Sequence, residues 1–198
     1  MNRRSGIETR KRIVDAAMEI FSAKGYAAAN MREIAQAAGT SVGGVYLYFK
    51  NKKELYKSLI SAKRSSLSSM IETSSAQART ASEALSVFVK LNFDYLVKHK
   101  EFILLHIREH GFAYGLEEKK QFFRQQMTHL EKIIKRGILE GEFRECNPRD
   151  MAKIIAGSLR GIIISIALDE GSCVSHGMLS AFFLAGLLKK RTATDNRQ

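Results

Sequence analysis

The chain has 198 residues, 45% apolar and 26% charged, the composition of a soluble globular protein with one large domain or two small ones. Its net charge of +12 is uneven: residues 1–64 carry 13 Lys/Arg against 5 Asp/Glu, residues 65–198 carry 19 against 15, and such an N-terminal basic excess suits a polyanion, whether nucleic acid or an anionic membrane surface. Cys146 and Cys173 have no CxxC spacing, which excludes a disulfide framework or a zinc site, and the longest strongly apolar run, 161–168, is far too short to span a membrane, so a cytoplasmic protein with no membrane partner is expected.

Ile13, Val14, Ala17, Met18 and Phe21 form one apolar stripe of a scaffold helix predicted from about Glu8 to Lys24 and ended by Gly25. Arg3, Arg4, Arg10, Lys11 and Arg12 form a basic group that either reaches phosphates from a flexible arm or stays solvated. Asn30 is a good N-cap for a helix starting at Met31, and Glu33 stands where it can return a hydrogen bond to the cap backbone. Ile34, Ala35 and Ala38 share one face, and Gly39 supplies the left-handed residue that ends the helix. Ser41 caps a second short helix whose Val42, Val45, Tyr46 and Phe49 recur at i, i+3, i+4 and i+7, which predicts that these four face the core and that Tyr48 points away. Asn51 and Glu54 repeat the cap, so a third helix starts at Lys52 with two lysines in its first turn, where the helix dipole disfavours them and an anion would offset the cost.

Two short helices joined by a tight glycine-containing turn match a helix-turn-helix. The stretch REIAQAAGTSVGGVYLYFKNKKEL resembles, nearly residue for residue, the DNA-binding signature of the TetR family of bacterial transcriptional regulators, and the resemblance extends upstream through TRKRIVDAAMEIFSAKGY, about the first third of the chain. The resemblance implies an all-α homodimeric repressor with a three-helix DNA-binding head over 1–64, a linker helix, and a C-terminal helical bundle over 65–198 that binds an effector and dimerises. It implies double-stranded operator DNA as partner and places Val42, Gly43 and Gly44 toward the bases, with Thr40 in the same contact set. Val42 can offer only an apolar contact and the glycines only close backbone approach, so the hydrogen-bonding burden falls on Arg32, which the resemblance places at a base-contacting position at the start of the preceding helix, with Ser41 and Tyr46 as secondary readers. Asn30, Tyr48 and Lys52 are expected on phosphates, Lys52 from a helix N-terminus.

The helix opened by Lys52 continues through Leu55, Leu59, Ala62, Leu67 and Met70 to a break near 73–78, and Thr80 with Glu83 form the next capping box. From Ala81 no strand pattern appears. Leu85, Phe88, Val89, Asn92, Phe93 and Leu96 mark one helix, 102–110 a shorter one, and Phe122 to Ile138 a long one from about Leu116 to Glu140, stopped by Gly141. Asn147 and Pro148 open the next helix, which is apolar on more than one face, and Met178 to Leu188 form the last. Two-sided apolar helices need a partner subunit, and Ile155, Leu159, Ile162, Ile166, Phe182 and Phe183 are the candidate dimer interface. Phe88, Phe93, Phe102, His106, Phe123 and Met127 are candidates for a pocket that takes a largely apolar small-molecule effector, and Arg108, Arg124, Lys132, Lys135 and Arg136 leave room for an anionic one such as an acyl-coenzyme A ester.

His106 and His110 have a metal-compatible i, i+4 spacing, but histidines near helix ends more often serve as polar or dipole partners, and no metal or cofactor is expected. No Gly-rich phosphate loop, GxSxG, DxD or HExxH occurs, which argues against an enzyme. A ligand-independent activator or architectural DNA-binding protein is the alternative, and an all-α enzyme a remote one.

Overall fold

The computed structural model describes residues 3–100, 116–168 and 174–189, and every regular element among them is a helix. These are α1 (Arg3–Ala28), α2 (Met31–Ala37), α3 (Val42–Tyr46), α4 (Lys52–Ala76), α5 (Ala81–Lys98), α6 (Leu116–Leu139), α7 (Pro148–Leu168) and α8 (His176–Leu187). The predicted short helix over 102–110, with the pocket candidates Phe102 and His106, lies outside the described residues. None of the described helices is long and apolar enough to cross a membrane.

The structure alters the first element at both ends. α1 starts at Arg3 instead of near Glu8, so the basic residues from 5 to 12 belong to a helix and not to an arm. Gly25 does not stop it but kinks it, with φ 86 and ψ 163, a backbone conformation open to glycine and strained for any side chain. One more helical turn follows, to Ala28.

The described chain forms two units, one containing residues 3–66 and the other 67–98 and 120–189. In the first, Ile13, Val14, Ala17 and Phe21 of α1 pack with Ile34 and Ala35 of α2, Val45 of α3, Phe49, and Leu55, Tyr56 and Leu59 of α4. Phe21, Tyr26 and Tyr56 join this core as an aromatic cluster with ring centroids 4.9 to 5.6 Å apart, the spacing of tilted and edge-on pairs.

In the second unit Leu67 and Ile71 of α4 bury with Leu85, Phe88 and Val89 of α5, Leu130 and Ile134 of α6, Ile155 and Leu159 of α7, and Phe183 and Leu187 of α8. Local signals place the helix ends: the Glu83 N–H donates to Thr80 Oγ1 at 3.0 Å, Gly141 turns the chain at φ 76, and the N–H groups of Arg149 and Asp150 converge on Asn147 Oδ1. Distant groups finish them. The Glu142 carboxylate accepts from the Ala81 N–H at 2.8 Å, the Ser82 N–H at 3.1 Å and the Ser82 hydroxyl at 2.7 Å, so the α6–α7 turn caps α5. Phe143 beside it is wholly buried over Gly137, where a Cβ would lie 2.2 Å from the ring. The Arg136 guanidinium donates to the carbonyls of Ala78 and Arg79, closing the α4–α5 turn.

Candidate nucleic-acid interface

The turn between α2 and α3 is built from its own side chains. The Glu33 N–H donates to Asn30 Oδ1 at 2.9 Å, and the Glu33 carboxyl is held below its usual range by Lys24, which donates to it at 2.7 Å, with the Asn30 backbone N–H adding to the effect. Gly39 takes φ 63, and the Thr40 N–H then returns to the Ala35 carbonyl at 3.0 Å. The Gly44 N–H donates to Ser41 Oγ at 3.0 Å, so the Ser41 hydroxyl starts α3 and keeps its own proton for a further partner. The glycines of α3 differ. A Cβ on Gly44 would lie 2.5 Å from Thr40 Oγ1, whereas one on Gly43 would meet only Ser41 Oγ, at 3.9 Å. Thr40 thus fixes Gly44, and the fold leaves Gly43 unconstrained.

α3 is only five residues long, and the predicted core face holds for only half of its members. Val45 and Phe49 are buried, but Val42 lies at the surface and Tyr46 is 50% exposed. Tyr48, expected to point outward, is half-buried against the core, and its hydroxyl is buried beside Gly6 without a hydrogen-bond partner. The 3.6-residue period carries no information beyond the end of so short a helix, where the chain turns at Leu47. Leu47, which periodicity did not single out, is 77% exposed. With Asn30, Arg32, Gln36, Ser41, Gly43 and Lys50, all exposed, it completes an outward surface without an acidic side chain.

Lys52 is engaged elsewhere than expected. Its ammonium donates to the carbonyls of Tyr26 at 2.6 Å, Ala29 at 2.9 Å and Ala27 at 3.1 Å, and it lies 4.5 Å from the Tyr26 ring centroid. The carbonyls at the end of α1 and just after it, left without helical partners, supply the partial negative charge that offsets the lysine in place of an anion. Arg10, though exposed, is likewise engaged within the head, donating to Ser58 Oγ and lying 5.1 Å from the Phe49 ring centroid.

The candidates of the second unit divide. Phe88 is core and stacks with His129, while Phe93, Phe123 and Met127 are half-buried; the Arg160 guanidinium lies over the Phe123 ring at 3.3 Å. Of the dimer candidates, Ile155, Leu159 and Phe183 are buried in their own subunit's core, Ile162 is half-buried, and the Ile166 side chain lies outside the described residues. Phe182 is 73% exposed. Ile154 and Met178, apolar positions not among those candidates, are exposed with it, beside Gly157, Gly161 and Gly186, where a Cβ would meet nothing.

Residues 13–59 match the model of the bacterial regulatory proteins of the tetR family, and residues 113–170 match the C-terminal region of QacR-like proteins. The fatty acid metabolism regulator protein of Bacillus subtilis is 30% identical over 135 residues, 67% of this chain and 70% of that protein. The chain belongs to the TetR family. This TetR-family protein is a DNA-binding transcriptional regulator and not an enzyme. Solved structures of regulators share its fold: Bacillus subtilis FadR in complex with stearoyl-CoA, at TM-score 0.69 and 24% identity over 88% of this chain and 95% of that one. Another is SmeT, the repressor of a Stenotrophomonas maltophilia multidrug efflux pump, whose triclosan complex gives 0.73 and 22% over 92% and 93%.

Proposed function

We propose that this TetR-family regulator is a cytoplasmic homodimeric repressor that leaves a palindromic operator when a fatty acyl effector binds its C-terminal domain. The observation that carries the DNA half is the outward surface of α2 and α3, whose one acid, Glu33, is paired with Lys24, with Val45 and Phe49 anchoring α3 from below. Exposed Arg32 makes a bidentate guanine contact, Ser41 and Tyr46 read beside it, and Val42 with Leu47 meets thymine methyls. Gly43 and Gly44 admit the backbone to the groove next to Thr40. Asn30 and Lys50 hold phosphates; with its ammonium on three carbonyls, Lys52 supports the head instead.

Dimerisation uses the exposed small-residue faces of α7 and α8, with Ile154, Met178 and Phe182 as anchors and Ile162 at the margin. The effector half rests on kinship: 135 matched residues exceed the head, so the likeness to a fatty acid metabolism regulator reaches into the second unit. The half-buried, apolar Phe93, Phe123 and Met127 also suit a neutral aromatic drug, a second reading that the triclosan-bound SmeT favours. Gel-shift titration of the full-length dimer on its own promoter DNA, with oleoyl-coenzyme A or triclosan added, tests both. Release by the acyl ester at micromolar concentration is expected; release by triclosan alone would replace the acyl assignment, and no release by any ligand that binds would remove the induction mechanism.

A further inference from the structure

Arg160 on α7 is a half-buried cation without a counter-ion among the described residues. Its guanidinium carbon lies 3.3 Å from the Phe123 ring centroid on α6, and among the described residues no carboxylate pairs with it. Four acids of the surrounding helices pair elsewhere: Glu131 with Lys135, Glu140 with Arg136, Asp150 with Lys153 and Asp94 with Lys90. Burial pulls the Arg160 pKa down, and no neighbouring charge opposes the shift. Stacking on an aromatic face returns part of the lost hydration, but guanidinium groups at such sites are ordinarily completed by a planar anion that accepts two N–H bonds.

A second, independent feature lies one helical turn along α6. Gln126 is 5% exposed, its Nε2 donates to Ser68 Oγ at 3.3 Å, and its Oε1 has no partner. His129, the next residue on that face, has a buried Nε2 without a partner, and burial favours its neutral form, with Glu72 opposing and Lys132 reinforcing the shift. Buried polar atoms left open in this way are costly in a native protein, and here they line the same helix that carries the stacked Phe123. Either orientation of the Gln126 amide leaves one hydrogen-bonding atom for a ligand, since Ser68 can donate or accept.

We propose that Arg160 is the anchor for an acidic group, a carboxylate or a phosphate, carried by the effector's apolar chain, and that Gln126 hydrogen-bonds the polar atoms next to it. This rests on the fatty acyl reading above and sharpens it: the regulator senses a charged amphiphile and discriminates against the uncharged chain. Neither residue is needed by the head or by the exposed faces of α7 and α8.

The test is calorimetric titration of the full-length protein with oleate, oleoyl-coenzyme A, coenzyme A and oleyl alcohol, comparing wild type with Arg160→Gln, Arg160→Lys and Gln126→Leu. At least one anionic oleyl ligand should bind the wild type more tightly than the alcohol. Arg160→Gln should weaken that ligand at least tenfold and the alcohol less than twofold, with Arg160→Lys between, and Gln126→Leu should weaken the anionic ligand several-fold. Preference for oleate assigns the carboxylate; preference for oleoyl-coenzyme A together with weak binding of coenzyme A assigns the phosphate. The proposal is overturned if Arg160→Gln binds the anionic ligand within twofold of wild type, if it weakens the alcohol equally, or if it sediments as a monomer, which would mean that the partner subunit supplies the counter-charge. If no oleyl ligand binds the wild type, the fatty acyl reading itself fails; if one binds and the Arg160 variants are indifferent, only the anchor does.

Discussion

Replacing Lys52 by methionine separates two roles that the sequence leaves open. As a phosphate clamp, Lys52 would contribute nothing to the free protein, and its loss would lower the slope of log K against log salt by about one phosphate contact per subunit. The structure puts its ammonium on three carbonyls at the end of α1 and over the Tyr26 ring. Hydrogen bonds to a charged donor contribute about 1.5 to 3 kcal/mol each at best, less where water competes, and here one of the three is at the surface. The C-terminal dipole adds about 0.3 to 1 kcal/mol and the cation–π contact about 0.5 to 1. Methionine keeps most of the stem packing, so the variant should lose about 2 to 4 kcal/mol from the head, a fall in Tm of about 5 °C or more by circular dichroism. Lys50→Met, which removes an exposed lysine, should leave Tm unchanged and flatten the salt dependence of operator binding. A Lys52→Met protein that melts like wild type but shows the flattened slope would refute the capping role.

Gly44→Ala should destabilise the head by about 1 to 3 kcal/mol, because its Cβ would press on Thr40, whereas Gly43→Ala should hold or raise Tm and still weaken operator binding in gel shifts. Phe182→Glu should yield monomers by sedimentation, and Phe183→Leu, an apolar change inside the subunit core, should remain dimeric. Burial raises the Glu142 carboxyl, but the Ser82 hydroxyl, the Ala81 and Ser82 N–H groups and Arg136 together outweigh it and leave the pKa lowered. A lowered folded-state pKa means stability present above the ordinary carboxylate value and lost as pH falls through the folded one, so Tm should drop below about pH 4.5 less steeply in Glu142→Gln than in wild type. Arg32→Ala should cost about 1 to 3 kcal/mol on the specific operator and little on random DNA; equal losses on both would make it a phosphate clamp.

Legible in the chain are the helix caps and most of the glycine turns, which are encoded within one helical turn. Asn30, Ser41, Thr80 and Asn147 cap where their spacing says, and Gly39 and Gly141 turn the chain where a left-handed residue was expected. Illegible were the features that depend on residues brought from far along the sequence. The partners of Lys52 lie 23 to 26 residues upstream, and those of Glu142 about 60. α7 and α8 defeated the reading for another reason: a helix apolar on two sides gives no periodic cue to which side faces its own core. Periodicity therefore puts Ile155 and Leu159 at the interface, although they are core, and leaves out exposed Ile154 of the same apolar run.

The same bookkeeping of donors and acceptors bears on how such a head can read DNA. Ser41 spends an acceptor on Gly44, Asn30 spends one on Glu33, the Tyr48 hydroxyl is buried, Lys52 donates to backbone carbonyls and Arg10 to Ser58. On α3 and its exit, Val42, Gly43, Tyr46 and Leu47 then present mainly apolar surface and open backbone. One phenol and one capping hydroxyl cannot supply bidentate contacts at several base pairs, which is how a recognition helix rich in Arg, Asn and Gln specifies its site. Arg32 can fix one guanine per half-site; the remaining discrimination has to come from thymine methyls against Val42 and Leu47 and from the shape of the groove that admits Gly43. Operators for this regulator should therefore tolerate exchanges that keep methyl positions and groove width, and resist those that add bulk where the backbone of Gly43 approaches.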